Sequence, residues 1–300
     1  MKKLFLILIP LLLFVACQKK EMPLIEQEVP FIPFAKGTGV VTYTDYAPLS
    51  EKAIKIWYYN PVESPKDLPI VMVFHGAGRN GKDYRDNWIA LADQYQLLII
   101  APEFSSKDFS GSANYNLGNL FNDNGDAVPE NEWTFSVVEP IFDYIVEAIE
   151  GNQSSYDIFG HSAGSQFVHR WMLFKEEIRA DRLIAANAGW YTMLNETIPF
   201  PYGLQDTPSD EADVRRVLQK EVIVLLGDAD TLRTNNLRTT PEADLQGQNR
   251  LERGQSYFAV AKAKATELGV PFNWKMRFVP DVGHDNGGMA NFIAEVLYEK

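Results

Sequence analysis

The 300-residue chain contains a single cysteine, Cys17, so it can form no internal disulfide and its fold rests on its core alone. It has no block of Lys or Arg. With 28 basic against 40 acidic residues the net charge is -12, which excludes the basic stripe that a nucleic-acid partner requires. The acidic excess is a solubility feature. The spaced acids of NDNGDAVPE (122–130) lack the ligand order of a calcium loop and read as solvated. No internal repeat is present. The one long apolar run, Leu4 to Val15, is too short to span a bilayer convincingly. GAGRNG (76–81) lacks the Lys-Ser/Thr ending of a phosphate-binding loop and the acidic ribose ligand of a dinucleotide site. Histidine is scarce as well: there are four, which makes a search for a general base short.

What is present begins with a targeting segment. Lys2 and Lys3 precede the apolar run, and Ala16-Cys17 follows it as a small-residue cleavage site, the pattern of a secretory signal. LLLFVAC resembles a bacterial lipobox, with Phe14 in place of the usual leucine. The expectation is a signal peptide over 1–16, lipidation of Cys17, and a tether and N-terminal arm over 17–38, the last carrying three prolines in residues 18–36. This anchors the protein in the cell envelope. Gln18 lacks the aspartate associated with inner-membrane retention, which favours the outer membrane. An ordinary signal peptide with an incidental cysteine is the alternative.

Residues 39–300 form one domain, with hydrophobic residues at 46% of the chain and aromatics at 12%. Apolar strand-like runs alternate with amphipathic helical ones, the pattern of an α/β fold with a mostly parallel sheet covered on both faces. Eight strands are expected, at 40–44, 53–59, 69–75, 97–102, 156–160, 183–189, 222–227 and 274–279, the first two as an antiparallel edge pair. Helices are expected near 83–95, 137–150, 163–177, 210–220, 255–268 and 287–298. Long irregular segments at 103–135, 190–209 and 228–254 leave strand carboxyl ends, where open α/β sheets bind ligands.

The stretch YDIFGHSAGSQFVHRWM (156–172) places a Gly-His-Ser-Ala-Gly pentad between a strand and a helical pattern. A bare G-x-S-x-G arises by chance in about one chain of this length in ten. Strand, sharp turn and helix together are the context of a nucleophile elbow, which makes Ser162 the candidate nucleophile. A serine hydroxyl needs a base, and the base needs an acceptor to hold its tautomer. Of the histidines, only His284 lies on a glycine-containing loop after the last strand. His75 ends a strand, His161 is inside the pentad, and His169 is two helical turns from Ser162, a packing or surface residue. Past the seventh strand, Asp230 has the Gly-x-x-Asp spacing that carries a carboxylate beyond the strand end, whereas Asp228 is still in the turn. The candidate catalytic set is therefore Ser162, Asp230 and His284. The oxyanion donors expected are the backbone N–H groups of Ala163 and of Ala77, in HGAGRNG (75–81). Trp190, Tyr191, Trp133 and Tyr115 are candidate substrate-binding aromatics, with the core as their alternative location.

The order Ser162, Asp230, His284 and the elbow together resemble the α/β-hydrolase superfamily over residues 39–300. VFHGAGRNGKDY, LGNLF, EWTFSVVEPIFDYI, GHSAGSQFVHRW and ANAGWYT resemble its poly(3-hydroxybutyrate) depolymerase-like, feruloyl-esterase-like and dienelactone-hydrolase-like branch. The resemblance implies a serine esterase that works through an acyl-enzyme, needs no metal or organic cofactor, and acts on a small-molecule or polysaccharide-linked ester. A peptidase or acyltransferase on the same triad, or a noncatalytic carbohydrate-binding lipoprotein of this fold, are the alternatives.

Overall fold

The structure, a computed structural model, describes residues 33–299. The expected signal peptide, Cys17 and residues 17–32 of the expected tether lie outside the described residues. Among the described residues no helix is long and apolar enough to cross a membrane.

One eight-stranded sheet has the order β1-β2-β4-β3-β5-β6-β7-β8. In chain order its strands are β1 (Gly37–Tyr43), β2 (Ile54–Asn60), β3 (Ile70–Phe74), β4 (Leu98–Glu103), β5 (Tyr156–His161), β6 (Ala180–Ala186), β7 (Glu221–Gly227) and β8 (Lys275–Val279). The β1–β2 and β2–β4 pairs are antiparallel, and every pair from β4 to β8 is parallel. The helices are α1 (Gly81–Asp86), α2 (Ile89–Tyr95), α3 (Val138–Ala148), α4 (Ala163–Phe174), α5 (Glu211–Leu218), α6 (Pro241–Asp244), α7 (Arg250–Leu268) and α8 (Asn286–Tyr298).

The parallel strands are continuous apolar runs because both of their faces are covered. In β3, Ile70, Met72 and Phe74 join a core shared with α3, α4, α5 and α7, while Val71 and Val73 point to the opposite face, under α1, α2 and α8. The period-two alternation of a strand thus divides one sequence run between two cores.

Four details depart from the sequence expectation. The folded body reaches back beyond residue 39: β1 starts at Gly37, and Phe34 is buried against Tyr58, its carbonyl accepting a hydrogen bond from Asn60. Burying such a ring contributes about 2–3 kcal/mol, so this part of the expected arm belongs to the core. The expected helix at 83–95 is two, α1 and α2, separated where Trp88 turns inward. β6 ends at Ala186 rather than 189, because Asn187 takes a left-handed φ of 48° and turns the chain out of the sheet. α7 begins at Arg250, five residues early, capped by the Asn249 side chain.

Candidate active site

The carboxyl ends of β3, β5, β6, β7 and β8 lie side by side, and the segments leaving them carry all the candidate catalytic residues. Between β5 and α4 the chain reverses at Ser162, which sits at φ 59° and ψ -116°. That conformation is strained for a side-chain-bearing residue, at about 1–3 kcal/mol, and it lifts the hydroxyl clear of the sheet. Packing holds it there. A Cβ on Gly160 would lie 2.2 Å from the Gly164 carbonyl oxygen, and one on Gly164 would lie 2.0 Å from the Phe74 carbonyl oxygen, so only glycine lets β5, α4 and β3 come this close. The Ser162 N–H donates to the Ala186 carbonyl at 3.0 Å, and every residue of α4 is buried.

The structure brings the three separated residues together. The Ser162 hydroxyl lies 3.0 Å from His284 Nε2 and donates to it, and His284 Nδ1–H donates to Asp230 Oδ2 at 2.8 Å. The two bonds specify one tautomer of the imidazole. Asp230 is buried, and Asp228, two residues earlier, is exposed and instead accepts the Asp281 N–H at 2.8 Å. Both aspartates therefore act on the same loop, one on the histidine and one on its backbone. The loop is also held by Ala229 N–H donating to the Val282 carbonyl at 3.1 Å, and by Asn187. The buried Asn187 side chain accepts from Gly227 N–H at 2.8 Å and donates to the Gly283 carbonyl at 3.1 Å, linking the ends of β6 and β7 to the residue before His284.

The other histidines are buried and neutral. His75 donates from Nδ1 to Gly76 and accepts at Nε2 from Phe104 N–H; burial pushes its pKa down to about 3. His169 donates to Ser165 and accepts from Thr192 N–H, and burial holds its pKa well below the ordinary imidazole value. His161 shares a hydrogen bond with the Tyr84 hydroxyl and packs its ring 4.6 Å from that of His284; burial, then His284 and Arg250, lower its pKa.

A cleft of about 300 Å³ opens over Ser162, with Ala77 and Ala163 in its wall. Among the described residues no acceptor takes the N–H of either alanine. Of the four candidate aromatics, only Trp190 lines this cleft. The other three belong to the core, which corrects the substrate-binding expectation for them. Tyr115 is fully buried, stacked on His75 with its hydroxyl donating to the His75 carbonyl. Tyr191 is stacked on Tyr257 at 4.4 Å, and Trp133 donates to the Val128 carbonyl beside a separate surface depression. In each case the long loop carrying the aromatic is itself packed, so its large apolar side chain points inward. Glu103 is likewise structural, accepting from Trp57 and from Gly81 N–H at the start of α1.

Sequence reasoning missed Asn187, Arg238, Arg250 and Gln166. Asn187 is hidden inside an apolar strand-like run, Arg238 and Arg250 sit on segments whose relation to Ser162 depends on the sheet order, and Gln166, one helical turn past Ser162 on α4, lies in a run that reads as helix packing rather than as cleft lining. A roomier pocket of about 360 Å³, lined by Leu117, Phe121 and Phe200, holds none of the candidate catalytic residues.

No protein-family model matches the chain, and no curated protein does. Solved structures do. Poly(aspartic acid) hydrolase-1 from Sphingomonas sp. KT-1 is 41% identical with a TM-score of 0.85, over 88% of this chain and 100% of that one. A poly(3-hydroxybutyrate) depolymerase from Bordetella parapertussis is 35% identical with a TM-score of 0.83, over 88% and 91% of the two chains. An S-formylglutathione hydrolase from Agrobacterium tumefaciens shares the fold at 14% identity and a TM-score of 0.57, over 88% and 94%. The chain belongs to the α/β-hydrolase superfamily, as a hydrolase of the serine-esterase type.

Proposed function

We propose that the protein hydrolyses carboxylic esters through an acyl-enzyme on Ser162. One observation carries this reading: the unbroken hydrogen-bond chain from the Ser162 hydroxyl through His284 to the buried Asp230. In the first step Ser162 Oγ attacks the ester carbonyl carbon while His284 Nε2 takes the hydroxyl proton. The carbonyl oxygen becomes an oxyanion held by the N–H groups of Ala77 and Ala163. Asp230 keeps Nδ1 protonated and stabilises the imidazolium. As the intermediate collapses, the C–O bond to the alcohol breaks and His284 returns its proton to the departing alkoxide. Water, deprotonated by the same nitrogen, then releases the acid and restores Ser162.

Amide hydrolysis on the same three residues is the second reading. It is favoured by the 41% identical poly(aspartic acid) hydrolase, whose named polymer is a polyamide, whereas the depolymerase at 35% is named for a polyester. Rates on matched ester and amide substrates separate the two. Ser162→Ala is expected to lower turnover by several orders of magnitude and to abolish labelling by a fluorophosphonate probe, with folding intact. Turnover within tenfold of wild type in that variant refutes the mechanism.

For location, the reading is an envelope protein anchored through Cys17, supported by the LLLFVAC segment. Cys17→Ala should move the protein out of the membrane fraction; retention there after signal cleavage refutes the anchor.

A further inference from the structure

The chain is strongly acidic, but the cleft over Ser162 is not. Arg238 and Arg250 line it, and among the described residues no Asp or Glu does. Arg250 is nearly fully buried, with 2% of its side chain exposed. Among the described residues it has one partner, Asp230 Oδ1, at 3.4 Å from Nη1, a long contact that leaves most of its donors free there. Its Nε is buried without any partner in the structure described. Asp230 is already committed to His284 through its other oxygen. Arg238 makes no hydrogen bond or ion pair among the described residues; its guanidinium lies 4.6 Å from the centroid of the Trp190 ring. Arg170, fully buried and without an acidic partner among the described residues, stands 4.2 Å from the same ring.

Arg170 also sets the polarity of a third group. A guanidinium can only donate, so the Gln166 side-chain atom that faces Arg170 Nη1 at 3.4 Å is the amide oxygen, which accepts from Asn116 Nδ2 at 2.9 Å as well. The Gln166 amide nitrogen is left as a donor, with no acceptor among the described residues, on a side chain that lines the cleft. Around Ser162 the cleft thus presents Arg238, Arg250, Gln166 Nε2 and the two backbone N–H groups. A neutral ester has one oxyanion to satisfy. This set has donors for a second anion.

We propose that the cleft contains a carboxylate-binding subsite formed by Arg238, Arg250 and the Gln166 amide nitrogen, and that the substrates are acyl compounds carrying a free carboxylate near the scissile bond. The proposal rests on Ser162 as nucleophile. A planar carboxylate matches the guanidinium fork and would complete the donors that Arg250 leaves open.

The test uses two matched ester pairs on the wild-type protein. In the first the acyl side is varied: the mono-4-nitrophenyl ester of adipic acid against its methyl-capped analogue. In the second the leaving side is varied: 4-acetoxybenzoate against its methyl ester. For at least one pair, kcat/KM for the charged member should exceed that for the neutral one by about tenfold or more. The preference should shrink as salt rises from about 20 mM to about 500 mM, because Arg238 is exposed to solvent. Arg238→Glu should reverse it, and Arg250→Gln should reduce it. The ratio is the readout for both variants, since Arg250 also touches Asp230 and its loss alters turnover of either ester. Hydrolysis that is lost in Ser162→Ala but shows no charge preference in either pair overturns the subsite and leaves the nucleophile standing. A preference that survives both arginine variants overturns it too. Hydrolysis that persists in Ser162→Ala overturns both readings.

Discussion

The proposed nucleophile and the proposed base are held in place by different means. Ser162 stands on an elbow whose glycines touch neighbouring backbone and whose helix is buried along its whole length. His284 stands on a loop in which Asp281, His284 and Asp285 are exposed, and which is fastened by hydrogen bonds donated by Ala229 and Asn187 and accepted by Asp228 and Asp230. A close-packed elbow holds one strained geometry and tolerates no added atom. A hydrogen-bonded loop is held only as well as its fewest bonds, and its members can be removed one at a time without unfolding the protein. Damage to the elbow should therefore appear as lost folding, and damage to the loop as lost rate.

Gly164→Val should break the comparison most severely. Its side chain would have to occupy space next to the Phe74 carbonyl, which is backbone and cannot rotate away, so a loss of more than about 4 kcal/mol and failure to recover folded protein are expected. Circular dichroism and soluble yield decide it; a folded, inactive Gly164→Val would mean that the elbow is not packing-limited.

On the loop, Asp230→Asn should keep the fold and lower kcat by about three to four orders of magnitude, since an amide disturbs the tautomer that the carboxylate enforces. Asp228→Asn keeps an oxygen for the Asp281 N–H and should stay within about threefold of wild type. Steady-state kinetics of the pair sharpen the distinction; equal losses would erase it. Asn187→Ala removes the link from β7 to the residue before His284. It should lower kcat by about ten- to hundredfold, with KM much less affected, through misplacement of the imidazole. An unchanged kcat would show that the remaining bonds suffice to hold the loop.

Acid probes the packed side of the comparison. His161 sits in the elbow, His169 lies two turns along the helix that follows it, His75 lies at the end of β3, and burial holds all three pKa values below the ordinary value of 6.5, that of His75 at about 3. Below pH 6.5 the unfolded chain takes up protons that these sites refuse. The stability present at neutral pH is therefore lost as pH falls, by up to about 1.4 kcal/mol per pH unit for each histidine. Urea midpoints between pH 7.5 and pH 5 measure this. His169→Gln should flatten the slope, and a flat wild-type profile would contradict the assignment of neutral buried imidazoles.

The elbow was legible before any coordinates because its determinants are local. Gly160, Ser162 and Gly164 lie within five residues, and the strand before them and the helix after them declare themselves by period. The eight strands and the edge pair follow from the same kind of signal, as does the Gly-x-x-Asp spacing that separates Asp230 from Asp228. The aromatics could not be resolved this way. Tyr115, Tyr191 and Trp133 sit in long connections without periodicity, and whether such a ring faces a cleft or a core depends on how the connection folds back. Asn187 was absorbed into an apolar run because hydrophobic pattern carries no mark of a left-handed turn.

By itself, then, the sequence determined the fold class, the position of the strained turn and which residues are candidates for nucleophile, acid and base. The tertiary structure decided which groups meet. The strand order β3-β5-β6-β7-β8 carries Ser162, Asp230 and His284 to within hydrogen-bond distance across 122 residues of chain. The same order sets Arg238 and Arg250, on segments after β7, in the cleft beside a serine that follows β5. The physical reason is one of range: backbone conformation and amphipathic period are local properties, whereas hydrogen bonds and charge act through space, and only the packed sheet defines those distances.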